Sequence, residues 1–203
     1  MAMKIKESLG LRGRLEIVAI SRRTGEVLYN EKQDNIVLYQ GNAQVITTLF
    51  STTPATAPRV ITRMAIGDQG SIPSDSQVAK VPGKGLSSLF HETFRKDVDS
   101  STQVLLGTTI FPGDTNNCTM VSTFNASDVP LSAYSNPSTP VVNEVGLVII
   151  NPAAPAGLSR LPVIAPATPA SDEVLLSIRC FKSIPFLVAD DVSVTIRYTI
   201  SLT

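Results

Sequence analysis

The sequence predicts an all-β fold, an antiparallel sandwich with one short helix, and three observations predict it. Period-two alternation recurs along the chain, most clearly where Val192, Val194, Ile196, Tyr198, Ile200 and Leu202 interleave with Ser193, Thr195, Arg197, Thr199, Ser201 and Thr203. Such alternation places every second side chain on one face, so one face can be buried while the other stays wet. The alternating runs are short and separated by Gly, Pro, Asn, Asp and Ser, giving roughly eight or more strands, the pattern of a sandwich or barrel rather than of βαβ units. Fourteen prolines are spread along the chain, and each removes a backbone donor that an interior helical turn or central strand needs.

The elements follow in order. In "LRGRLEIVAISRRTGEVLYNEKQDNIVLYQG" two strands flank a turn at Thr24-Gly25: Leu15, Ile17 and Ala19 alternate with charged neighbours, and Val27 and Tyr29 resume the alternation. After Gly41, Asn42 is an N-cap candidate, and Val45, Ile46, Leu49 and Phe50 fall on one helical face. That helix is short and holds only if it packs on the sheet. "STTPATAP" is a proline-marked loop. A strand through Ile61 to Ile66 then closes on Gly67-Asp68-Gln69-Gly70, where glycine permits a positive φ. Ser71 to Gly85 reads as loop. "LSSLFHETFRKDV" and "TQVLLGTTIF" read as strands around Asp99-Ser100-Ser101, followed by "CTMVSTFNA", "VNEVGLVII", "EVLLSIRCFKSIPFLV" and the final alternating run. That run is expected in the core sheet, since a strand at a chain end frays unless neighbours tie it down. The architecture expected is a jelly-roll or immunoglobulin-like sandwich, with residues 1–203 forming one domain and no internal repeat.

One segment fits no strand. "NPAAPAGLSRLPVIAPATPAS", Asn151 to Ser171, carries five prolines and no period. Structureless connections beyond about 12 to 15 residues are uncommon in compact domains unless they bind something or are disordered. This one also holds Leu158, Leu161, Val163 and Ile164, apolar side chains on a stiff extended arm, which makes them the candidate partner-binding residues.

Composition narrows the chemistry. Lys plus Arg equals Asp plus Glu at 17 each, so no global field draws the chain to nucleic acid or anionic lipid. The first twenty residues lack the apolar run and cleavage site of a secretory signal, and no stretch reaches the roughly 20 apolar residues of a spanning helix. The expectation is a chain made in the cytoplasm with no nucleic-acid or membrane partner. Cys118 and Cys180 read as buried small hydrophobes, with a disulfide between them left open.

Candidate catalytic residues are few. His91 is the sole histidine, set mid-strand in "LFHETF" with no GxSxG elbow anywhere. One His and two distant Cys do not make a tetrahedral metal site. Asp97 with Asp99, Asp172 with Glu173, and Asp190 with Asp191 are adjacent carboxylates of the kind glycosidases pair, yet at strand ends they read as solvated turn formers. "GDQGSIPSD" lacks EF-hand spacing, and "GLRGR" and "PGKG" match neither phosphate-binding glycine motif. Arg12, Arg14, Arg22, Arg23, Arg59 and Arg63 are scattered, without interleaved aromatics to stack bases. No catalytic residue, metal or cofactor is therefore expected.

Three stretches carry a resemblance. "LRGRLEIVAISRRTGEVLYNEKQDNIVLYQGNAQVITTLF" resembles the opening of many tailed-bacteriophage structural proteins, a strand pair with a Thr-Gly-Glu turn, a glycine and a short helix. "RMAIGDQG" with downstream "LFHETFRKDV" is similar to the glycine turn and Glu/Arg strand that follow there. "NEVGLVIINPA" and "LLSIRCFKSIPFLVADDVSVTIRYTISLT" resemble the closing pattern of a Glu-x-Gly-Leu strand and a final alternating strand. The aromatic usual after the Glu-x-Gly-Leu stretch is absent, and the proline arm is longer than the pattern. The resemblance implies a non-enzymatic virion subunit, at the neck, tail or baseplate or decorating the capsid. Its implied partners are copies of itself and other virion structural proteins, through strand edges and arms. Two rivals stand beside it. A carbohydrate- or receptor-binding module fits the fold, although the chain has no Trp and four Tyr for sugar stacking. A carboxylate enzyme would rest on Asp97, Asp99, Asp190 and Asp191.

Overall fold

The computed structural model describes residues 11–50, 60–104, 117–150 and 173–202. Two five-stranded antiparallel sheets face each other. The first holds β1 (Leu11–Ser21), β2 (Val27–Asp34), β8 (Ser100–Val104), β9 (Asn117–Asn125) and β12 (Val192–Leu202), in the order β2-β1-β12-β9-β8. The second holds β3 (Ile36–Val37), β4 (Val60–Gly67), β7 (Glu92–Asp97), β10 (Val141–Ile150) and β11 (Glu173–Pro185), in the order β3-β11-β10-β4-β7. A small hairpin of β5 (Ser71–Ile72) and β6 (Asp75–Ala79), one α-helix, α1 (Tyr39–Phe50), and two single-turn 3-10 helices (Ala126–Asp128 and Leu131–Ala133) complete the described elements. The all-β sandwich with one helix is thus the fold.

The final alternating strand lies at the centre of the first sheet. β12 pairs with β1 from Val192↔Ser21 to Leu202↔Leu11, and with β9 on its other side. Its Val192, Val194, Ile196 and Tyr198 are buried against Leu15, Ile17 and Ala19 of β1 and Met120 and Phe124 of β9. Across the sandwich the same core takes Met64, Ile66, Phe94, Val145, Leu147, Ile149, Leu176 and Phe181 from the second sheet. Tyr198 crosses the gap and donates its hydroxyl proton to Ser177 Oγ on β11, so the one polar atom it buries is satisfied.

The second sheet is buried on both faces. Its outer side carries a second apolar cluster of Leu38, Ala65, Leu89, Val148, Leu175, Ile178 and Cys180. Every residue from Val142 to Ile149 of β10 is buried, which is why that strand reads as an apolar run rather than an alternation.

Several expectations change. The helix begins at Tyr39, three residues before Asn42, whose backbone N–H already donates to Leu38 O at 3.0 Å. Gly41 lies inside it because α1 packs tightly on β11: a Cβ there would stand 2.5 Å from Leu176 O. Gly67 and Gly70 do not adopt positive φ; among the described glycines only Gly25 does, at φ 75°, in the β1–β2 turn. They are needed for close approach instead, since a Cβ at either would overlap the carbonyl of His91 or Asn143. The expected loop Ser71–Gly85 contains the β5–β6 hairpin. The expected strand from Leu86 starts only at Glu92, so His91 precedes it. The turn before β8 is tighter than expected, with only Val98 and Asp99 between β7 and β8 as the chain passes from one sheet to the other. Cys118 and Cys180 are free thiols on different sheets. The arm and its Leu158, Leu161, Val163 and Ile164 lie outside the described residues.

One-sided burial of β12 makes a direct forecast. Ile196→Ala deletes methylenes from the core and should cost about 2–5 kcal/mol, whereas Arg197→Ala, at an exposed position paired to Glu16 at 3.5 Å, should stay within about 0.5 kcal/mol. Urea unfolding of both variants checks this, and similar losses would contradict the assigned faces.

Candidate functional site

The densest polar cluster lies at one end of the second sheet, where β4 turns into Gly67-Asp68-Gln69-Gly70. Glu144 is its centre. This residue sits in β10 at 0% exposure, and its carboxylate accepts three backbone N–H bonds: Phe90 and His91 at 2.8 Å and Gln69 at 3.3 Å. One side chain thereby ties the turn after β4 to the segment entering β7. Burial pushes its pKa up to about 7, against the lowering effect of the three donors, with nearby Asp68 adding to the rise.

Beside it, Asn143 accepts from Gly70 N–H at 2.5 Å, and its amide nitrogen lies within 3.1 Å of Asp68 O, Ser71 Oγ and Ser183 Oγ. Asp68 then reaches the other way. Its Oδ2 accepts the Ser135 backbone N–H at 2.6 Å, and its Oδ1 meets both Ser135 Oγ at 2.8 Å and His91 Nδ1 at 2.6 Å. Gln69 Nε2 donates to Ser135 Oγ at 3.0 Å.

Ser135, His91 and Asp68 are the residue types of a nucleophilic triad, and sequence reading had no means of joining them. Their geometry is different from a triad's. A relay needs the imidazole to bridge, with the acid on one ring nitrogen and the nucleophile on the other. Here Ser135 Oγ lies 3.1 Å from the same Nδ1 that meets Asp68, so the three groups form a closed triangle. The serine proton is directed to Asp68, and His91 clamps the turn rather than activating a hydroxyl.

A second charged array lies on the outer face of the same sheet. Arg63 of β4 pairs with Asp97 at 3.1 Å and with Glu173; Arg95 of β7 pairs with Glu173 and with Glu92, Nη2 to Oε2 being 2.6 Å. The order Asp97–Arg63–Glu173–Arg95–Glu92 alternates sign, and all of these side chains except Asp97 are nearly buried. Glu173 is therefore not the solvated turn former expected. Burial pushes the Glu92 carboxyl up, with Arg95 opposing. The adjoining cavity is about 20 Å³, space for a water and nothing larger.

The remaining sequence candidates separate. Asp97 faces Arg63, whereas Asp99 takes Lys96 Nζ at 2.6 Å and Thr123 N–H at 2.7 Å. Asp190 and Asp191 occupy a turn, where Asp191 adopts φ 46° and lies 3.6 Å from Arg22. Neither pair converges on a shared cleft. Among the described residues no group of three His, Cys, Asp or Glu is placed to hold a metal ion, and no helix is long and apolar enough to cross a membrane. Glu144 had one readable signal, a lone carboxylate inside the apolar run "VNEVGLVII". Asp68 and Ser135 had none.

The fold and its polar centre thus define an all-β sandwich whose one histidine serves a structural clamp. No protein-family model matches the chain, and no curated protein matches it.

Two outcomes test these clusters. Glu144 binds its proton more tightly in the folded state than at the ordinary value of 4.5. The native state therefore holds the extra proton between about pH 4.5 and 7, and its stabilising effect is full at the acidic end and lost as pH rises through about 7. Urea unfolding at pH 5 and pH 8 should show a decline on the order of 3 kcal/mol from this group, and Glu144→Gln should flatten it. Separately, Glu173→Ala leaves two guanidinium groups facing each other in a dry site and should cost about 3–5 kcal/mol, far more than removal of the exposed Lys32–Glu16 pair.

Proposed function

We propose that this protein is a non-enzymatic structural subunit of a tailed-phage virion, assembling with copies of itself and with other virion proteins. The observation that carries the reading is the placement of the proline-rich segment. Ile150 and Glu173 are direct partners across the β10–β11 pair, a junction that a two-residue turn could close, yet residues 151–172 are inserted there. Val60 pairs with Ile150 at the same end, so residues 51–59 attach beside them. An insertion that connectivity does not require, bearing Leu158, Leu161, Val163 and Ile164, is the candidate partner-binding element.

A sheet edge adds a second contact element. β2 is an outer strand of eight residues, and Val27 and Leu28 at its start are 58% and 40% exposed. Val188, 54% exposed, lies in the neighbouring 187–192 turn, which is held to the β1–β2 turn through Arg22 N–H to Asp191 O and Arg23 to Ala189 O. Unpaired strand backbone adds readily to a neighbouring sheet. The resemblance to tail-associated phage chains favours the neck, tail or baseplate over the capsid surface.

Light scattering across a concentration series tests the proposal. The mass should climb above the 21.6 kDa of one chain. Deletion of Leu158 to Ala167 should return it toward the monomer without changing the unfolding midpoint, and Leu28→Lys should weaken association at the edge. A strict monomer that also fails to bind purified virion proteins would overturn it.

A further inference from the structure

The proline-rich arm and the exposed side chains of Val27, Leu28 and Val188 lie at opposite ends of the sandwich. Residues 151–172 leave the fold at Ile150 and return at Glu173, the first residue of β11. β11 is thirteen residues long, about 40 Å at a rise of about 3.3 Å per residue. Val188 lies beyond the other end of that strand, after Pro185. The β1–β2 turn is bound beside it, with Ser21 Oγ donating to Asp190 O at 2.9 Å and Arg22 N–H to Asp191 O at 3.0 Å. Val27 and Leu28, which follow that turn, therefore open on the same end of the molecule as Val188.

Chain length rules out a meeting within one copy. Leu158 is eight residues from Ile150, and Ile164 is nine from Glu173. At a full extension of about 3.6 Å per residue those limbs reach about 29 and 32 Å, short of the length of β11. Residues 158–164 cannot be laid along the patch of their own chain, so only a second copy can present the patch to them. The two surfaces also match in kind. Leu158, Leu161, Val163 and Ile164 would meet exposed Val27, Leu28 and Val188. Arg160 is the one charged residue from Asn151 to Ser171. The two turns set Glu26, Asp190 and Asp191 against Arg22 and Arg23, which leaves one carboxylate for it.

We infer that the chain associates head to tail, residues 158–164 of one copy seating on Val27, Leu28 and Val188 of the next. Donor and acceptor are different surfaces at opposite ends of the fold, so the contact is heterologous and each added copy presents a new free end. Such a series closes into a ring or runs on as a filament. Side-by-side exchange of arms between two copies is disfavoured, because it would lay the charged remainder of β2, Glu31, Lys32 and Asp34, against the partner. This inference rests on the assembly reading and narrows it, naming the surface of a second copy that receives the arm.

Light scattering of two full-chain variants, alone and mixed, tests the contact. Deletion of residues 158–167 keeps the patch and removes the arm, whereas Val27→Asp combined with Val188→Asp keeps the arm and spoils the patch. Each alone should stay at the mass of one chain, 21.6 kDa for the wild type, at concentrations where the wild type passes beyond a dimer. Their equimolar mixture should stop at a dimer, since one arm finds one patch and no complementary pair remains to extend it. Arg160→Glu and Asp190→Arg repeat the test without altering an apolar side chain: each alone should weaken association about tenfold, and mixing them should restore a dimer. A wild type that stops at a dimer, a mixture that stays monomeric, or variants that associate as well as the wild type would overturn the contact while leaving self-assembly in place. A wild type that is monomeric yet binds purified virion proteins would overturn the contact and leave the virion reading standing, so the two fail separately.

Discussion

The second sheet is buried on both faces, and most of the molecule follows from that constraint. Its inner face meets β1, β9 and β12, whose alternation supplies one apolar side each. Its outer face is covered by Leu38 at the approach to α1 and by Leu89 in the segment before β7, packed on Ala65, Val148, Leu175 and Ile178. A sheet with two buried faces has no wet side on which to place its polar residues. Each polar group that it keeps must therefore be matched within the protein.

The two charged arrangements on this sheet are two solutions to that demand. Arg63, Glu173 and Arg95 satisfy one another across three strands, with Asp97 and Glu92 at the ends of the row. Among the described residues Glu144 has no cation in contact and uses backbone N–H groups instead, which is why its charge is held at a cost and its proton is retained to about pH 7. Because those N–H groups belong to two different loops, the carboxylate also decides where the loops lie. Asn143, Asp68, His91 and Ser135 extend the same network outward. A serine, a histidine and an aspartate within hydrogen-bonding distance are thus explained by loop anchoring.

The cleft at Asn35 differs in kind. There Arg12, Asp34 and Lys84 line an open cleft, and both polar atoms of the Asn35 amide are buried without a hydrogen-bond partner among the described residues.

The amino-acid sequence by itself determined the all-β class, the hairpin at Thr24-Gly25 and the strands with one wet face, because period two and turn chemistry are local properties. β12 was readable to the residue for that reason. The start of α1 was not, since Gly41 reads as a breaker until the close approach of Leu176 supplies its purpose. The roles of Gly67 and Gly70 were hidden in the same way, set by carbonyls some 24 and 73 positions along the chain rather than by their own φ. Tertiary structure alone decided which carboxylates are buried, that Cys118 and Cys180 stay apart, and that Asp68, His91 and Ser135 meet. Those outcomes depend on which strands become neighbours and which faces close, and no local pattern encodes them.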